Sequence, residues 1–423
     1  MQQTNVVLGT KSWRRLGSVL IALATCAVLT SIVASNAWAA GTYKTLHDFK
    51  RGVYGGAPAA GLVLDSVGNL SGTTYFGGHQ DAGTAFELSP NGQGGWKEKL
   101  LHSFGGTDGA LPAAQLALDS SGNLYGTTKQ GGASNAGTVF RLTPNKDGSW
   151  SESVLHDFTG GNDGGVPLGG VNFDTAGNLY GTASQGGLTA CMCGVVFELT
   201  PKGDGSWNER VLFSFSSHDG ANPGAGVAFD STGNLYGTTT RGGLGTSNCG
   251  VVFELTPNGG GSWNESVLFS FSSHDGCIPL AGVVFDAMAN LYGTTVHGGP
   301  GGSDGTVFEL TPNKDGSWTE KVIHSFNCGD GGCEPSACLA FDSGGNLYGT
   351  APLGGAYRRG TVFKLEPDRK GGWTETVLHA FRDKPGAAPV AGVIFDGLGN
   401  RYGTTAGDGM TTFGSVFEIS RRN

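Results

Sequence analysis

The sequence has no run of basic residues. Lys and Arg number 26 against 35 Asp and Glu, which gives a formal net charge of −9 at pH 7. Removal of an N-terminal leader that carries Lys11, Arg14 and Arg15 lowers the net charge to about −12. A chain this acidic repels a phosphate backbone, so its composition argues against nucleic acid as a partner.

Several catalytic signatures are also missing. There is no Gly-x-Ser-x-Gly elbow joining a strand to a helix, no His-Glu-x-x-His helix and no phosphate-binding glycine loop. The 77 glycines recur in register at hairpins instead of opening helices. These absences exclude the hydrolases, zinc peptidases and nucleotide-binding enzymes that depend on such motifs.

Only one long hydrophobic run is present, at residues 16–34, and it follows the basic group at 11–15. The small-x-small sequence at 37–39 comes next, so we predict a secretory signal peptide over residues 1–39. The alternatives are an uncleaved anchor and a lipoprotein signal at Cys26. After signal cleavage we expect no membrane span. The expected location is the periplasm or the medium, and association with the cell surface is the alternative.

The chain has eight cysteines, and all but Cys26 lie in its middle and later parts. Export permits disulfides, and Cys328 and Cys333 are close enough in one loop to form one. Cys193 and Cys249 occupy the same position in neighbouring repeats. Removal of the leader with Cys26 leaves seven cysteines, so at least one thiol is free. Cys191 and Cys193 have no second cysteine pair at the spacing of a zinc site.

A repeated segment dominates what is there. A hydrophobic strand runs through an Asp-x-x-Gly-Asn turn into a sequence related to Leu-Tyr-Gly-Thr-Thr, at intervals of 54 to 56 residues. Regular strand-containing repeats of about 50 residues are typical of β-propeller blades. The seven turn asparagines are Asn69, Asn123, Asn178, Asn234, Asn290, Asn346 and Asn400.

Each repeat contains four predicted strands, as the unit from Gly226 to Phe271 illustrates. The last repeat ends after its third strand, whereas residues 43–49 resemble an isolated fourth strand. We therefore predict an all-β, seven-bladed β-propeller with four antiparallel strands per blade and 28 strands in all. The N-terminal strand closes the last blade and removes the open sheet edge.

The predicted organisation is a signal peptide at 1–39 and one propeller domain at 40–423, expected to be monomeric. The blades are predicted at residues 57–104, 112–158, 167–215, 223–271, 279–326, 335–381 and 389–420 plus 43–49.

Two aromatic series have structural interpretations. The fourth strands begin with Trp or Tyr, for which we predict packing between blades, with a sugar-binding platform on the rim as the alternative. Five histidines lie two residues before the Phe that ends each fourth strand, and Phe213 and Phe269 replace them in two repeats. A position that accepts either ring favours packing over catalysis. These histidines are His47, His102, His156, His324 and His379.

The loops between blades carry the candidate binding residues. Each of five such loops has an Asp followed by Gly, and a ring of carboxylates near the propeller axis is a candidate site for calcium. An ordinary Asp-Gly turn is the alternative interpretation. The five residues are Asp108, Asp163, Asp219, Asp275 and Asp330.

One sector is richer in histidine. His218 and His274 occupy matching Ser-Ser-His-Asp loops, and His297 lies in a neighbouring loop. These three residues are the candidate catalytic group, since imidazoles beside carboxylates can ligate a transition metal or transfer protons. Duplication of one loop explains the matching sequences equally well.

The repeat reads Phe-Asp-Ser-x-Gly-Asn-Leu-Tyr-Gly-Thr-Thr, then Gly-Thr-Val-Phe-Glu-Leu-Thr-Pro, then Trp-x-Glu-x-Val-Leu-His-Ser-Phe. It resembles the GloVer tandem-repeat family of exported bacterial proteins, of the choice-of-anchor type, over residues 43–420. The resemblance implies a propeller, often with a C-terminal anchor, and brings no established activity. We predict a non-enzymatic propeller that binds protein or polysaccharide. The alternative is a metal-assisted lyase or hydrolase acting at the loop face.

Overall fold

The computed structural model describes residues 41–50, 52–188, 190–384, 386–408 and 412–421. Regular structure in these residues consists of β-strands, and they contain no helix. Accordingly, no helix in the described ranges has the length and apolar character needed to cross a membrane. The predicted signal peptide lies outside the described residues.

The strands follow one another in chain order. The first is β1 (Tyr43–Asp48). Blade 1 contains β2 (Val63–Leu64), β3 (Leu70–Thr74), β4 (Thr84–Pro90) and β5 (Trp96–Ser103). Blade 2 contains β6 (Ala117–Leu118), β7 (Leu124–Thr128), β8 (Thr138–Pro144) and β9 (Trp150–Asp157). Blade 3 contains β10 (Asn172–Phe173), β11 (Leu179–Ala183), β12 (Val195–Pro201) and β13 (Trp207–Ser214).

The remaining blades repeat this order. Blade 4 contains β14 (Ala221–Pro223), β15 (Ala228–Phe229), β16 (Leu235–Arg241), β17 (Val251–Pro257) and β18 (Trp263–Ser270). Blade 5 contains β19 (Val284–Phe285), β20 (Leu291–Thr295), β21 (Thr306–Pro312) and β22 (Trp318–Ser325). Blade 6 contains β23 (Ala340–Phe341), β24 (Leu347–Ala351), β25 (Thr361–Pro367) and β26 (Trp373–Ala380). Blade 7 contains β27 (Ile394–Phe395), β28 (Arg401–Thr405) and β29 (Ser415–Ile419).

Seven antiparallel sheets form the blades, and β1 supplies the fourth strand of blade 7. Tyr43 pairs with Ile419 and Asp48 with Ser415, so the two ends of the chain are joined in one sheet. The predicted seven-bladed propeller with N-terminal closure is thus confirmed. The structure adds one short strand, β14, which pairs with the extended β16 in blade 4.

The first hairpin of each blade is stabilised by its own Asp, as the sequence predicts. In blade 1, Oδ1 of Asp65 accepts hydrogen bonds from the amides of Val67 and Asn69, at 3.0 and 2.8 Å. Its Oδ2 accepts a third, from the Asn69 side chain, at 2.8 Å. The same three-bond arrangement fixes the reversal in the other blades, because it satisfies the donors that the tight turn leaves free.

The strand glycine of each repeat makes room for a ring. Gly72 lies directly opposite Phe86 in the antiparallel pairing, and a Cβ added to Gly72 would stand 2.9 Å from the Phe86 ring. Real Cβ atoms do not approach neighbours this closely, so the second strand needs glycine there for the third-strand Phe to lie flat in the core. The equivalent distances in the other blades are 2.5 to 2.7 Å.

Phenylalanine rings join each blade to the next. The Phe that follows a fourth strand packs at a steep angle against the third-strand Phe of the next blade, with ring centroids 5.0 to 5.2 Å apart. The contact between Phe49 and Phe86 brings β1 against blade 1 and completes the series. This arrangement buries the rings between sheets and makes one hydrophobic layer around the ring.

The first strand of each blade is innermost. The residues just before the first strands touch one another from blade to blade, as Gly170 does with Gly226 and Gly282 does with Cys338. Buried threonines of blades 2 to 7 reinforce this inner layer, because each donates to a carbonyl in the following blade. Thr404 of blade 7 donates to the Ala60 carbonyl at 3.0 Å, which ties the last blade to the first.

Three disulfides are formed in the described residues, joining Cys191 to Cys193, Cys249 to Cys277 and Cys328 to Cys333. The expected local pair in the 328–333 loop is therefore present, and the seventh cysteine, Cys338, is free. Cys193 and Cys249, which match in repeat position, do not pair with each other.

Candidate functional site

The five predicted binding aspartates lie in the loops that connect one blade to the next. Each follows a fourth strand, which is the outermost strand of its blade, and most fold back on their own loop. The amides of Gly105 and Ser216 donate to Asp108 and Asp219 at 2.7 and 2.6 Å. Asp330 is exposed in the loop that the third disulfide closes. The structure shows the turn geometry, and a role for these residues in binding stays a prediction.

The three candidate catalytic histidines are exposed on the loops. His297 is held by its backbone, which pairs with Cys277 at 2.6 and 3.0 Å. Within the described ranges, one group of three His, Cys, Asp or Glu side chains has ligand atoms all within 4.8 Å, and none of His218, His274 and His297 belongs to it. The structure does not bring these imidazoles together.

The group that does converge is His102, Asp108 and Glu152. His102 is near the end of β5, Asp108 is in the loop that leads to blade 2, and Glu152 is in β9 of blade 2. The Nε2 atom of His102 lies 2.8 Å from Oδ2 of Asp108. Burial opposes ionisation of Asp108, but hydrogen bonds from His102 and the Gly105 amide hold its pKa below the ordinary value.

The fourth-strand histidines combine two kinds of contact. Each packs edge-on against the Phe two residues later, as His102 does against Phe104 at 4.8 Å, which agrees with the packing role predicted from sequence. Several also face a carboxylate that the sequence did not reveal. His47 lies 3.4 Å from Glu98, and His324 lies 3.7 Å from Glu375.

A series of half-buried glutamates is the feature that sequence reasoning missed. They occupy the third position of the fourth strand in blades 1 to 6, where the repeated Trp-x-Glu was the available signal. Burial between blades raises the pKa of five of them to about 7 and also raises the pKa of Glu375. In each, Oε1 is buried without a hydrogen-bond partner among the described residues. The six are Glu98, Glu152, Glu209, Glu265, Glu320 and Glu375.

A cleft with a volume of ≈ 540 Å³ opens between blades 2 and 3. The Tyr125 ring meets the Phe173 ring at 4.9 Å and the Trp207 ring at 6.3 Å, both edge-on. The Tyr125 hydroxyl donates to Oδ2 of Asp119 at 3.2 Å. The cleft therefore combines aromatic surface with fixed polar groups. Its lining includes Asp119, Tyr125, Arg141, Phe173, Asp174 and Trp207.

The cleft lies at the end of the blades that carries the first hairpins. The chain reverses at each strand, so these hairpins and the loops between third and fourth strands share one face of the propeller. The inter-blade loops, where the sequence predicted ligand binding, belong to the opposite face. Five of the six tryptophans that begin fourth strands pack against a Tyr of the preceding blade, which agrees with their predicted packing role.

Arg141 distinguishes this cleft from its counterparts. It pairs with Tyr125 across β7 and β8, at a position that is Glu in five other blades and Lys364 in blade 6. In blade 3 the corresponding Tyr180 hydroxyl donates to Glu198 at 2.7 Å. The Nε atom of Arg141 is buried and has no hydrogen-bond partner among the described residues. The guanidinium interacts with the Tyr125 side chain, so the donor that the protein leaves without a partner is the Nε–H group alone.

Comparisons with known proteins place the chain in a family without assigning an activity. A search of curated proteins finds no match. Among solved structures, a putative oxidoreductase (glucose dehydrogenase) from Thermus thermophilus is 16% identical with a TM-score of 0.46, and the match covers 90% of this chain and 99% of that one. At this level of likeness nothing about activity follows. The Gloeobacter/Verrucomicrobia repeat family matches residues 33–245, 147–319 and 240–423. The chain belongs to the Gloeobacter/Verrucomicrobia repeat family.

Proposed function

We propose that this protein is a non-enzymatic propeller that binds a polysaccharide outside the cytoplasm. The observation that supports the proposal most directly is the cleft between blades 2 and 3, with its aromatic walls and its unsatisfied Arg141 donor. Clefts of a few hundred Å³ that combine aromatic rings with a few oriented polar groups are the usual form of a small-ligand site.

The cleft chemistry suits a sugar. A pyranose ring presents a face of C–H groups that packs on an aromatic ring, while its hydroxyls require both donors and acceptors. Tyr125 and Trp207 supply rings, and Arg141 supplies N–H donors. Burial opposes ionisation of Asp119, but hydrogen bonds from Asn123 and its neighbours hold the pKa below the ordinary value, so Asp119 serves as a charged acceptor.

The same chemistry favours binding over catalysis. A general acid in a sugar-cleaving site needs a raised pKa, whereas the pKa of Asp119 is lowered. The exposed His218, His274 and His297 do not form the convergent group that a metal-assisted lyase or hydrolase would require.

Three disulfides support a location outside the cytoplasm. Disulfides persist in oxidising environments such as the periplasm and the medium, and they agree with the secretory signal predicted from sequence. N-terminal sequencing of the exported chain is the direct check on cleavage near Ala39.

The proposal is tested by applying the purified mature chain to an array of bacterial and plant polysaccharides, with calcium and with chelator. We expect retention on at least one polysaccharide in both conditions, because the cleft needs no metal. Binding that disappears in chelator would contradict the cleft as the binding site and would favour the inter-blade aspartates, for which the sequence predicts calcium binding. Absence of binding to every polysaccharide, or release of shortened sugars, would contradict a non-enzymatic sugar-binding function and favour a protein partner or an enzyme, respectively.

A further inference from the structure

The junction between blades 1 and 2 holds a set of side chains whose chemistry matches a metal ion. His102 offers an imidazole nitrogen, and Asp108 and Glu152 offer carboxylate oxygens, with one ligand atom from each lying within 4.8 Å of the other two. Once both carboxyl groups are deprotonated, neutral imidazole with two carboxylates carries two negative charges, which a divalent cation would balance. From this geometry we propose that His102, Asp108 and Glu152 form a binding site for a divalent first-row transition metal ion.

The distance between the His102 and Asp108 ligand atoms fits metal coordination with a small adjustment, and a Glu152 oxygen lies within 4.8 Å of both. Nε2 of His102 and Oδ2 of Asp108 are 2.8 Å apart. An octahedral ion with bonds of about 2.1 Å places adjacent ligand atoms about 3.0 Å apart, so these two atoms need to move by only a few tenths of an ångström. Three protein ligands would leave the other positions of a six-coordinate ion for water or a ligand.

Second contacts orient the ligands. The amide of Gly105 donates to Oδ1 of Asp108 at 2.7 Å, which leaves Oδ2 directed at His102. Phe104 packs against the His102 ring and fixes its plane. In Glu152, as in the other five fourth-strand glutamates, Oε1 is buried and has no hydrogen-bond partner among the described residues, but here a His and an Asp lie beside it. A buried carboxylate oxygen without a donor is costly, and a cation would satisfy it.

The other junctions lack this arrangement, which makes the proposal specific. Two of them carry Phe213 and Phe269 at the position of His102. The junction of blades 2 and 3 has the same three residue types, but its loop is one residue longer. There the Thr159 amide donates at 2.9 Å to Oδ2 of Asp163, which is the oxygen that faces His156. That group does not meet the 4.8 Å separation.

The ligand set also predicts which ions bind. Imidazole suits zinc, iron, nickel and copper, whereas calcium prefers six to eight oxygen ligands. The ion would connect β5 of blade 1 to β9 of blade 2, so it would stabilise the junction as well as present open coordination positions.

The test uses the full mature chain after metal has been removed with a chelator. Zn²⁺ binding is measured by calorimetric titration, and Co²⁺ binding is measured by visible absorption. We expect one equivalent to bind, with excess Ca²⁺ unable to displace it. H102F installs the residue that two other junctions carry, so it should fold, and it should weaken binding by about 100-fold or more. H156F is the matched control and should bind as the parent chain does.

Two further measurements decide the interpretation. Melting of metal-free H102F verifies that it folds, and E152Q removes a second ligand without introducing a ring. Unchanged binding by both H102F and E152Q would overturn the proposal, as would a parent chain that binds no Zn²⁺ at micromolar concentration. Loss of binding in H156F equal to that in H102F would likewise overturn it, because the site would not be specific to this junction.

Discussion

Each buried fourth-strand glutamate is destabilised in its charged form. Glu265 and Glu320 show the effect without a histidine nearby, because Phe213 and Phe269 occupy that position in the preceding blades. Burial raises the pKa of both glutamates to about 7, and the charges of Asp219 and Asp275 add to the shift. At low pH these side chains are neutral in the folded chain, and at high pH they are buried charges.

We therefore expect a pH-dependent contribution to stability of defined sign. Between the ordinary Glu pKa of 4.5 and about 7, the folded chain keeps protons that the unfolded chain releases. The stabilisation is fully present below that range and is lost as the pH rises through about 7. The E265Q/E320Q variant cannot ionise there, so its stability relative to the parent chain should increase from about pH 5 to about pH 8.

Urea unfolding at the two pH values measures this difference. E366Q is the control, because it removes a carboxyl group from an exposed position. A constant difference between parent chain and double variant would mean that these carboxyl groups titrate as solvent-exposed ones do.

Single residues were predictable from sequence where their partners are local. The hairpin aspartates bond within six residues, as Asp65 does with Asn69, and turn chemistry alone indicates the bonds to the turn itself. Glu98 is different, because its side chain is buried by the neighbouring blade and is only 12% exposed. From sequence alone a Glu in an outer strand is predicted to be a surface residue, because its burial depends on how two blades pack together.

At the scale of elements, β1 is the strand that joins the last blade to the first. It supplies the outer strand of blade 7, and its Leu46 and Phe49 join a buried cluster with Leu62 and Phe86 of blade 1. One strand therefore stabilises two blades and the closure between them.

Deletion of residues 42–49 should remove the cooperative fold. Loss of two core side chains and a strand edge should lower the free energy of unfolding by more than about 5 kcal/mol, comparable to the whole stability of many domains. Thermal unfolding of the shortened chain measures this. The single variant K44A, at an exposed position of the same strand, should change stability by less than about 0.5 kcal/mol. A shortened chain that melts at the temperature of the full chain would contradict closure by β1.

The sequence predicted the strands because each repeat alternates apolar and polar residues between clear turns. It did not predict β14, since three residues beside an extended β16 carry no pattern of their own. The last repeat lacks a fourth strand, and residues 43–49 have the sequence of a fourth strand without a repeat of their own. These two facts together were enough to predict the closing strand.

For the whole molecule, one set of contacts repeated around the ring produces the fold, and departures from the repeat produce the candidate sites. The Phe pairs and Thr bonds recur from blade to blade. Among the described residues, the metal ligand set occurs at the junction of blades 1 and 2, and Arg141 distinguishes the cleft between blades 2 and 3 from its counterparts. Such sites depend on side chains from two blades whose relative position the repeat pattern does not give, which is why sequence analysis selected other residues.

The most direct test of the proposed function is an affinity measurement on Arg141 variants, by calorimetric titration with a polysaccharide retained on the array. R141E replaces the unsatisfied donor with the residue that blade 3 carries, so the fold should be kept and the Tyr125 hydroxyl should gain an acceptor. We predict at least a tenfold loss of affinity, about 1.4 kcal/mol, which is typical of removing a charge-assisted hydrogen bond. K364E makes the same charge change in blade 6 and should retain the parent affinity. Equal affinities for R141E and the parent chain would contradict binding in the cleft between blades 2 and 3.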